Sequence, residues 1–244
     1  MYKRFFQLVV LLLASCTNVA SLPKETPTPI PAQEIDPTMR KIHYLALGDS
    51  YTIGESVDES ERWSNQLSNL LSPHLEGSRR EVNVTIIAKT GWTTDELWQG
   101  IQSRELTPPY DLVSLLIGVN NQYRGIDVEE YRNGFVFLLN KAVEYAGGDP
   151  NRVIVLSIPD WGVTPFAEWR GSPQIAKDID AFNAVNKEET ENSGAHYIDI
   201  TPISREAVND PTLIAADGLH PSGKMYAEWA KLALPVVLNI LQDK

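Results

Sequence analysis

Residues 44–56 read YLALGDSYTIGES, and in this stretch an apolar run meets a polar turn. The run IHYLAL (42–47) is followed by Gly48, Asp49 and then Ser50. Four further runs have a similar composition: VNVTIIA (82–88), LVSLLIG (112–118), RVIVLSI (152–158) and HYIDI (196–200). Most of these runs are apolar on both faces and rich in Val and Ile. This pattern is typical of strands in a parallel sheet that helices cover on both sides.

Helical periodicity separates the apolar runs. Apolar residues recur every three or four positions in four segments, which are 63–71, 128–142, 175–185 and 225–232. Asp127 and Glu130 have capping-box spacing at the start of the second segment, and Pro235 is expected to kink or end the fourth. The alternation predicts an α/β domain, a three-layer α/β/α sandwich around a mainly parallel five-stranded sheet.

The first 15 residues have the pattern of a secretion signal. Lys3 and Arg4 precede an apolar run over 5–14, which is shorter than the roughly 20 residues that cross a bilayer as a helix. The segment ends in LASC (13–16), which resembles the lipobox of bacterial lipoproteins. The resemblance implies lipidation of Cys16. It also implies an exported protein that is lipid-anchored to a bacterial membrane, on its periplasmic or extracellular face.

A proline-rich segment follows the signal. Residues 16–40 hold five prolines and almost no apolar periodicity, which predicts an extended tether between Cys16 and a single domain over 41–244. Cys16 is the only cysteine of the chain, so a disulfide framework is excluded. Removal of 1–15 takes the formal charge from −11 to −13, because Lys3 and Arg4 are lost. An acidic domain repels phosphate backbones, so nucleic acid is not expected as a partner.

Candidate functional residues are expected where parallel strands end, because ligands bind at the carboxyl edge of such a sheet. Ser50 follows the first strand, Gly91 the second and Asn120 the third. Ser50 and Gly91 can offer backbone N–H groups to an oxyanion, and Asn120 can offer its side-chain amide. These three residues therefore form a candidate oxyanion hole beside a candidate nucleophile, Ser50.

The same rule sorts the four histidines. His43 begins the first strand, His196 begins the fifth, and His74 ends the first helix, so all three are expected at the opposite edge. His220 lies between the last strand and the last helix, and it is the remaining candidate for a general base. A serine hydroxyl needs such a base in order to attack a carbonyl group.

A carboxylate is also needed to fix the tautomer of the base. Asp217 lies three residues before His220, a spacing that brings both side chains to one side of a turn. Asp199, at the end of the fifth strand, is a second candidate for the acid.

Together these residues resemble the four sequence blocks of the SGNH (GDSL) hydrolases. The matching positions are Gly48-Asp49-Ser50, Gly91, Gly118-Val119-Asn120 and Asp217-Gly218-Leu219-His220, in family order. The resemblance implies a flavodoxin-like fold and an esterase or acylhydrolase activity without a metal or organic cofactor. It also implies catalysis by Ser50, Asp217 and His220, with Ser50, Gly91 and Asn120 as the oxyanion hole.

Two positions depart from the family pattern, and both bear on substrate. Tyr51 replaces the leucine of GDSL, and Asn121 stands where aspartate is common. Neither position supplies a catalytic group. Three aromatic residues in loops at the catalytic edge, Trp92, Trp161 and Phe166, are candidates for a substrate pocket, although they could equally cover the rim of the core.

Several function classes remain open at this point. A lysophospholipase-like or short-chain esterase and a carbohydrate O-acetylesterase both fit the residues. A non-catalytic glycan-binding lipoprotein is an alternative of another class. The acyl chain, the alcohol and the oligomeric state do not follow from the sequence.

Overall fold

The computed structural model describes residues 40–75, 80–168, 170 and 172–242. The signal peptide predicted over 1–15, the lipidation of Cys16 and nearly all of the tether lie outside the described residues. Within the described residues, no helix has the length and apolar character needed to cross a membrane.

A single five-stranded sheet forms the centre of the domain. Its strands are β1 (Arg40–Gly48), β2 (Arg80–Ala88), β3 (Leu112–Leu116), β4 (Val153–Leu156) and β5 (His196–Ile198). The order is β2-β1-β3-β4-β5, and every neighbouring pair is parallel. All five strands therefore end at the same edge of the sheet. The predicted fold class is confirmed.

Helices cover both faces of the sheet. They are α1 (Ser50–Ile53), α2 (Trp63–Leu75), α3 (Thr94–Gln102), α4 (Val119–Tyr123), α5 (Val128–Tyr145), α6 (Ser172–Ser193), α7 (Thr201–Arg205) and α8 (Gly223–Gln242). Helix α2 packs against α8, while α5 packs against both α3 and α6. The central strands β3 and β4 are thus enclosed between two helical layers, as their apolar composition requires.

The core is built from the central strands and the inner faces of the helices. Every residue of β3 and β4 is buried. Trp63 of α2 and Trp229 of α8 are fully buried on one side, and Tyr131 and Phe135 of α5 are fully buried as well. Each such side chain contributes about 1.5–3 kcal/mol on burial, so the core fixes the strands whose ends carry the loops.

Two helices differ from what their sequences suggest. Helix α3, which is not among the four helical segments predicted from the sequence, begins at a capping box between Thr93 and Glu96. Helix α8 does not end at Pro235 and continues to Gln242. The residues after the proline on its inner face, Val237, Ile240 and Leu241, are buried. Their burial offsets the roughly 3 kcal/mol cost of a proline inside a helix.

Candidate active site

The turn after β1 places Ser50 at the carboxyl edge of the sheet. Gly48 is required there, because a Cβ at this position would collide with Thr52 and with the Leu116 carbonyl oxygen. Asp49 caps α1, and its Oδ1 accepts a hydrogen bond of 3.0 Å from the Tyr51 N–H. Ser50 is the first residue of α1, so its N–H has no acceptor within the helix.

Asp217 and His220 form a hydrogen-bonded pair. The distance from Asp217 Oδ2 to His220 Nδ1 is 2.6 Å. Asp217 Oδ1 accepts two backbone hydrogen bonds, of 2.9 Å from Leu219 and 3.0 Å from His220. An ionised carboxylate only accepts hydrogen bonds, so the proton of the ring lies on Nδ1 and Nε2 is left as a base.

The environment of Asp217 favours its ionised form. Partial burial acts to raise the pKa of Asp217, but hydrogen bonds to the carboxylate outweigh it and hold the pKa well below its ordinary value. These bonds come from the His220 ring, the backbone N–H groups of Leu219 and His220, and the Ser56 hydroxyl. Asp217 is therefore charged throughout the neutral pH range.

Tyr51 supports the His220 ring from one side. The two rings meet edge to face with centroids 5.8 Å apart, and Tyr51 makes a similar contact of 6.3 Å with Trp229 of α8. Burial raises the pKa of Tyr51 above its ordinary value, so its hydroxyl stays neutral. The departure from leucine thus places an aromatic wall between the base and the last helix.

Gly91 and Asn120 lie in two loops that contact each other. Gly91 has a φ of +87°, a left-handed conformation that glycine adopts without strain. Asn120 donates one amide hydrogen to the Trp92 carbonyl oxygen at 2.9 Å, which leaves its second hydrogen for another acceptor. Arg124 donates to the Gly91 carbonyl oxygen at 2.6 Å and pairs with Glu96 at 3.0 Å. The backbone of this loop is thereby held from outside.

Asn121 has a structural role beside Asn120. Its side chain is buried, accepts from the Thr94 N–H at 3.1 Å, and donates to the Thr94 hydroxyl at 3.0 Å. It therefore joins the loop after β3 to the start of α3. An aspartate would lose the second of these bonds unless the Thr94 hydroxyl rotated to donate.

One cavity of about 180 Å³ lies between these loops. Ser50, Gly91, Asn120 and His220 line it together, and Asp217 lies behind His220. The other lining residues are Tyr51, Thr90, Val119, Tyr123, Trp161, Phe166 and Leu219.

The aromatic side of the cavity differs in part from expectation. Trp161 and Phe166 line it as predicted, with ring centroids 6.1 Å apart. Trp92 does not, because its ring packs on Gly100 of α3, where the missing side chain leaves room for it. Tyr123 takes part instead, 5.4 Å from Trp161 and 52% exposed. The sequence analysis did not identify Tyr123 as a pocket residue. Its position at the end of α4, the short helix after β3, could have indicated it.

The remaining candidates lie in other hydrogen-bond networks. Asp199 accepts from the Ser157 hydroxyl at 3.0 Å and from the Thr201 N–H at 3.2 Å, so the structure brings Asp217 to His220 and not Asp199. His196 contacts Asn151 at 2.9 Å, at the far edge of the sheet. In the part of the chain that the structure describes, no three His, Cys, Asp or Glu side chains are grouped as a metal site.

Asp49 is a buried carboxyl group that is only partly hydrogen-bonded. Its side chain is fully buried, and this burial raises its pKa to about 7, although the hydrogen bond from Tyr51 acts in the opposite direction. Its Oδ2 has no hydrogen-bond partner among the described residues. An ionised Asp49 is therefore destabilising.

This burial makes the stability dependent on pH. Below pH about 4 the Asp49 carboxyl is protonated in both the folded and the unfolded chain, so its ionisation does not lower the free energy of unfolding there. As the pH rises from about 4 to about 7, the unfolded chain loses the proton first, so the free energy of unfolding falls. We expect the free energy of unfolding of Asp49→Asn, relative to that of wild type, to rise by roughly 2–3 kcal/mol as the pH increases from 5 to 8. Urea unfolding at each pH measures this difference. The exposed Asp58→Asn is the control, and a gain equal in both variants would contradict the assignment.

Solved structures share the fold. A lipase/acylhydrolase from Enterococcus faecalis aligns with a TM-score of 0.62 and 22% identity, over 82% of this chain and 96% of that one. A member of the lipolytic protein G-D-S-L family from Veillonella parvula aligns with a TM-score of 0.60 and 20% identity, over 80% of this chain and 98% of that one. An acetylxylan esterase from Geobacillus stearothermophilus aligns with a TM-score of 0.58 and 17% identity, over 84% of this chain and 96% of that one. At these identities the likeness shows the fold alone.

Sequence comparison identifies the family. No curated protein matches the chain. Residues 46–228 match the model of the GDSL-like Lipase/Acylhydrolase family, a range that begins in β1 and ends in α8. The matched range includes the turn with Ser50, the loop with Gly91 and the pair formed by Asp217 and His220. The chain therefore belongs to the GDSL-like lipase/acylhydrolase family, and it is a hydrolase of ester bonds.

Proposed function

We propose that the protein is a serine esterase that cleaves short-chain carboxylic esters through an acyl-enzyme on Ser50. The observation that carries this proposal is the arrangement around one cavity. Ser50, Gly91, Asn120 and His220 line it, and Asp217 holds the far nitrogen of the His220 ring at 2.6 Å. A nucleophile, a base, an acid and three oxyanion donors are thus available within one site.

In the first step, Ser50 Oγ bonds to the carbonyl carbon of the ester while His220 Nε2 takes the hydroxyl proton. The negative charge that develops on the carbonyl oxygen is stabilised by the N–H groups of Ser50 and Gly91 and by the free amide hydrogen of Asn120. Each such donor contributes roughly 3 kcal/mol in sites of this kind. Asp217 stabilises the imidazolium that forms, without itself taking the proton.

Collapse of this intermediate breaks the bond to the alcohol, which leaves with the proton held by His220. The acyl group is then bound to Ser50. A water molecule gives its proton to His220 Nε2 and attacks the acyl carbon, and the carboxylic acid is released with Ser50 regenerated. Formation and hydrolysis of the acyl-enzyme use the same oxyanion donors.

The dimensions of the cavity favour a small acyl group. Its volume of about 180 Å³ is below the roughly 300–1,000 Å³ of pockets that take drug-sized ligands. Trp161 is only 5% exposed and its Nε1–H donates to Gln122 at 2.9 Å, so this wall is fixed. A lysophospholipid with a long chain therefore fits less well than a short ester.

Carbohydrate O-acetylesterase activity is the second candidate. The exposed ring of Tyr123 lies at the mouth of the cavity, where it could pack on a sugar ring while the acetyl group enters the site. One of the structures with this fold is an acetylxylan esterase. Release of acetate from acetylated xylan separates this candidate from a general short-chain esterase.

The chain-length profile tests the proposal. We expect kcat/KM of the purified full chain to be at least about tenfold higher for p-nitrophenyl acetate or butyrate than for the laurate or palmitate ester, because long chains exceed the cavity. Phe166→Ala should improve the long esters relative to the short ones. Phe137→Ala, an exposed phenylalanine of α5, should leave the profile unchanged. A preference for palmitate in the wild type would overturn the short-chain assignment.

We also propose that the enzyme is anchored to a bacterial membrane through Cys16. The charged start, the short apolar run and the LASC sequence support this proposal. Each methylene of an acyl chain adds about 0.8 kcal/mol of membrane affinity, so several chains on one residue hold the protein. Cys16→Ser should move the protein from the membrane fraction to the soluble fraction on expression in a bacterial host. Mass spectrometry of the wild type that found unmodified Cys16 would contradict it.

A further inference from the structure

Ser56 has an unusual backbone conformation. Among the described residues it is the only one other than glycine with a positive φ, which is +66°. A side chain in this left-handed region costs free energy, and such residues concentrate at functional sites. Gly54, in the same turn, has a similar φ of +70°. The serine therefore occupies a position for which glycine is the less strained residue.

The Ser56 side chain contacts the proposed acid. Its hydroxyl donates to Asp217 Oδ2 at 2.7 Å, across 161 positions of sequence. The same oxygen accepts a hydrogen bond of 2.6 Å from His220 Nδ1. The two backbone N–H groups of the Asp217 turn both bind Oδ1, so Ser56 supplies the contact to Oδ2 that comes from outside this turn.

The neighbouring residue makes a second connection. Glu55 accepts a hydrogen bond from the hydroxyl of Thr90, which lines the cavity next to Gly91. The turn after α1 thus contacts two other loops of the site, the loop with Thr90 through Glu55 and the loop with Asp217 through Ser56. Because this turn directly follows Ser50, its contacts fix the nucleophile relative to the acid and the oxyanion donors.

We propose that Ser56 is a positioning residue for catalysis, which orients the Asp217 carboxylate and, through it, the His220 ring. This inference rests on the proposed function of Asp217 and His220. With both oxygens held, the carboxylate plane is fixed, and with it the orientation of the His220 ring in the cavity that Ser50 also lines. Without the hydroxyl, Oδ2 is open to water, because Asp217 is 30% exposed, and the ring samples orientations in which proton transfer is slower.

The test compares three substitutions in the full chain. We expect Ser56→Ala and Ser56→Gly each to lower kcat about fivefold on p-nitrophenyl acetate with an unchanged KM, because one hydrogen bond to the acid is lost and Ser56 does not line the cavity. Their stabilities should differ in spite of equal activities. The melting temperature of the glycine variant should be roughly 2–4 °C above that of the alanine variant. Ser56→Asn tolerates this φ and carries a donor, so it should recover part of kcat.

Ser60→Ala, an exposed serine of the same loop, is the matched control and should keep the wild-type kcat. Full kcat in both Ser56→Ala and Ser56→Gly would overturn the proposal, as would a loss of kcat in the alanine variant that the less strained glycine variant restores. A change confined to KM would also overturn it. Failure of the proposed function is separate: it would show as wild-type hydrolysis that persists when Ser50 is replaced.

Discussion

Replacement of Ser50 with alanine is expected to lower kcat/KM for p-nitrophenyl acetate by roughly 10⁴-fold or more. The reason is that the acyl-enzyme needs the Oγ atom of Ser50, which begins α1 and lines the cavity together with His220. Binding should persist, because the cavity walls remain and all three proposed oxyanion donors, including the N–H of residue 50, are retained. Initial-rate kinetics on the purified full chain measure the effect.

Ser60→Ala serves as the control for this substitution, since it removes an exposed hydroxyl outside the cavity. Circular dichroism of both variants separates loss of chemistry from loss of fold. Equal turnover by wild type and Ser50→Ala would show that the nucleophile is elsewhere, and the proposed mechanism would then be wrong.

Asp217→Asn is expected to reduce kcat by roughly 10³–10⁴-fold. An amide at this position can donate as well as accept, so it can hold the His220 ring in the tautomer that has its proton on Nε2. That nitrogen would then face Ser50 as a donor and could not take its proton. KM should change little, because Asp217 does not line the cavity.

The runner-up acid supplies the matched comparison. Asp199→Asn keeps an oxygen for the hydrogen bonds from Ser157 and Thr201, so kcat should stay within about twofold of wild type. If Asp199→Asn proved as damaging as Asp217→Asn in a folded protein, the assignment of the acid to Asp217 alone would fail.

Much of the site could be predicted because parallel strands order their loops. Ser50, Gly91 and Asn120 each follow a strand, and a parallel sheet brings all strand ends to one edge, so their meeting required only the strand assignments. His220 followed by elimination of histidines at the other edge. The periodicity of apolar residues, which is strong in buried strands and helices, carried this part of the prediction.

Side-chain direction could not be predicted in the same way. Trp92 and Tyr123 both lie at the catalytic edge, yet only Tyr123 lines the cavity, because Gly100 of α3 leaves space for the Trp92 ring elsewhere. Ser56 was also missed. Its role depends on a left-handed backbone and on a contact with Asp217 that no local pattern encodes. Such features arise from packing between distant segments.

The position of His220 just before α8 also has a consequence for when activity first arises. The proposed acid and base enter the site from residues 217–220, after all five strands have been made, and Tyr51 reaches the base only when Trp229 of α8 is packed behind it. A nascent chain therefore carries the proposed nucleophile for most of its synthesis without the groups proposed to activate it. On the proposed mechanism, hydrolysis is therefore expected only after the last part of the chain has been made.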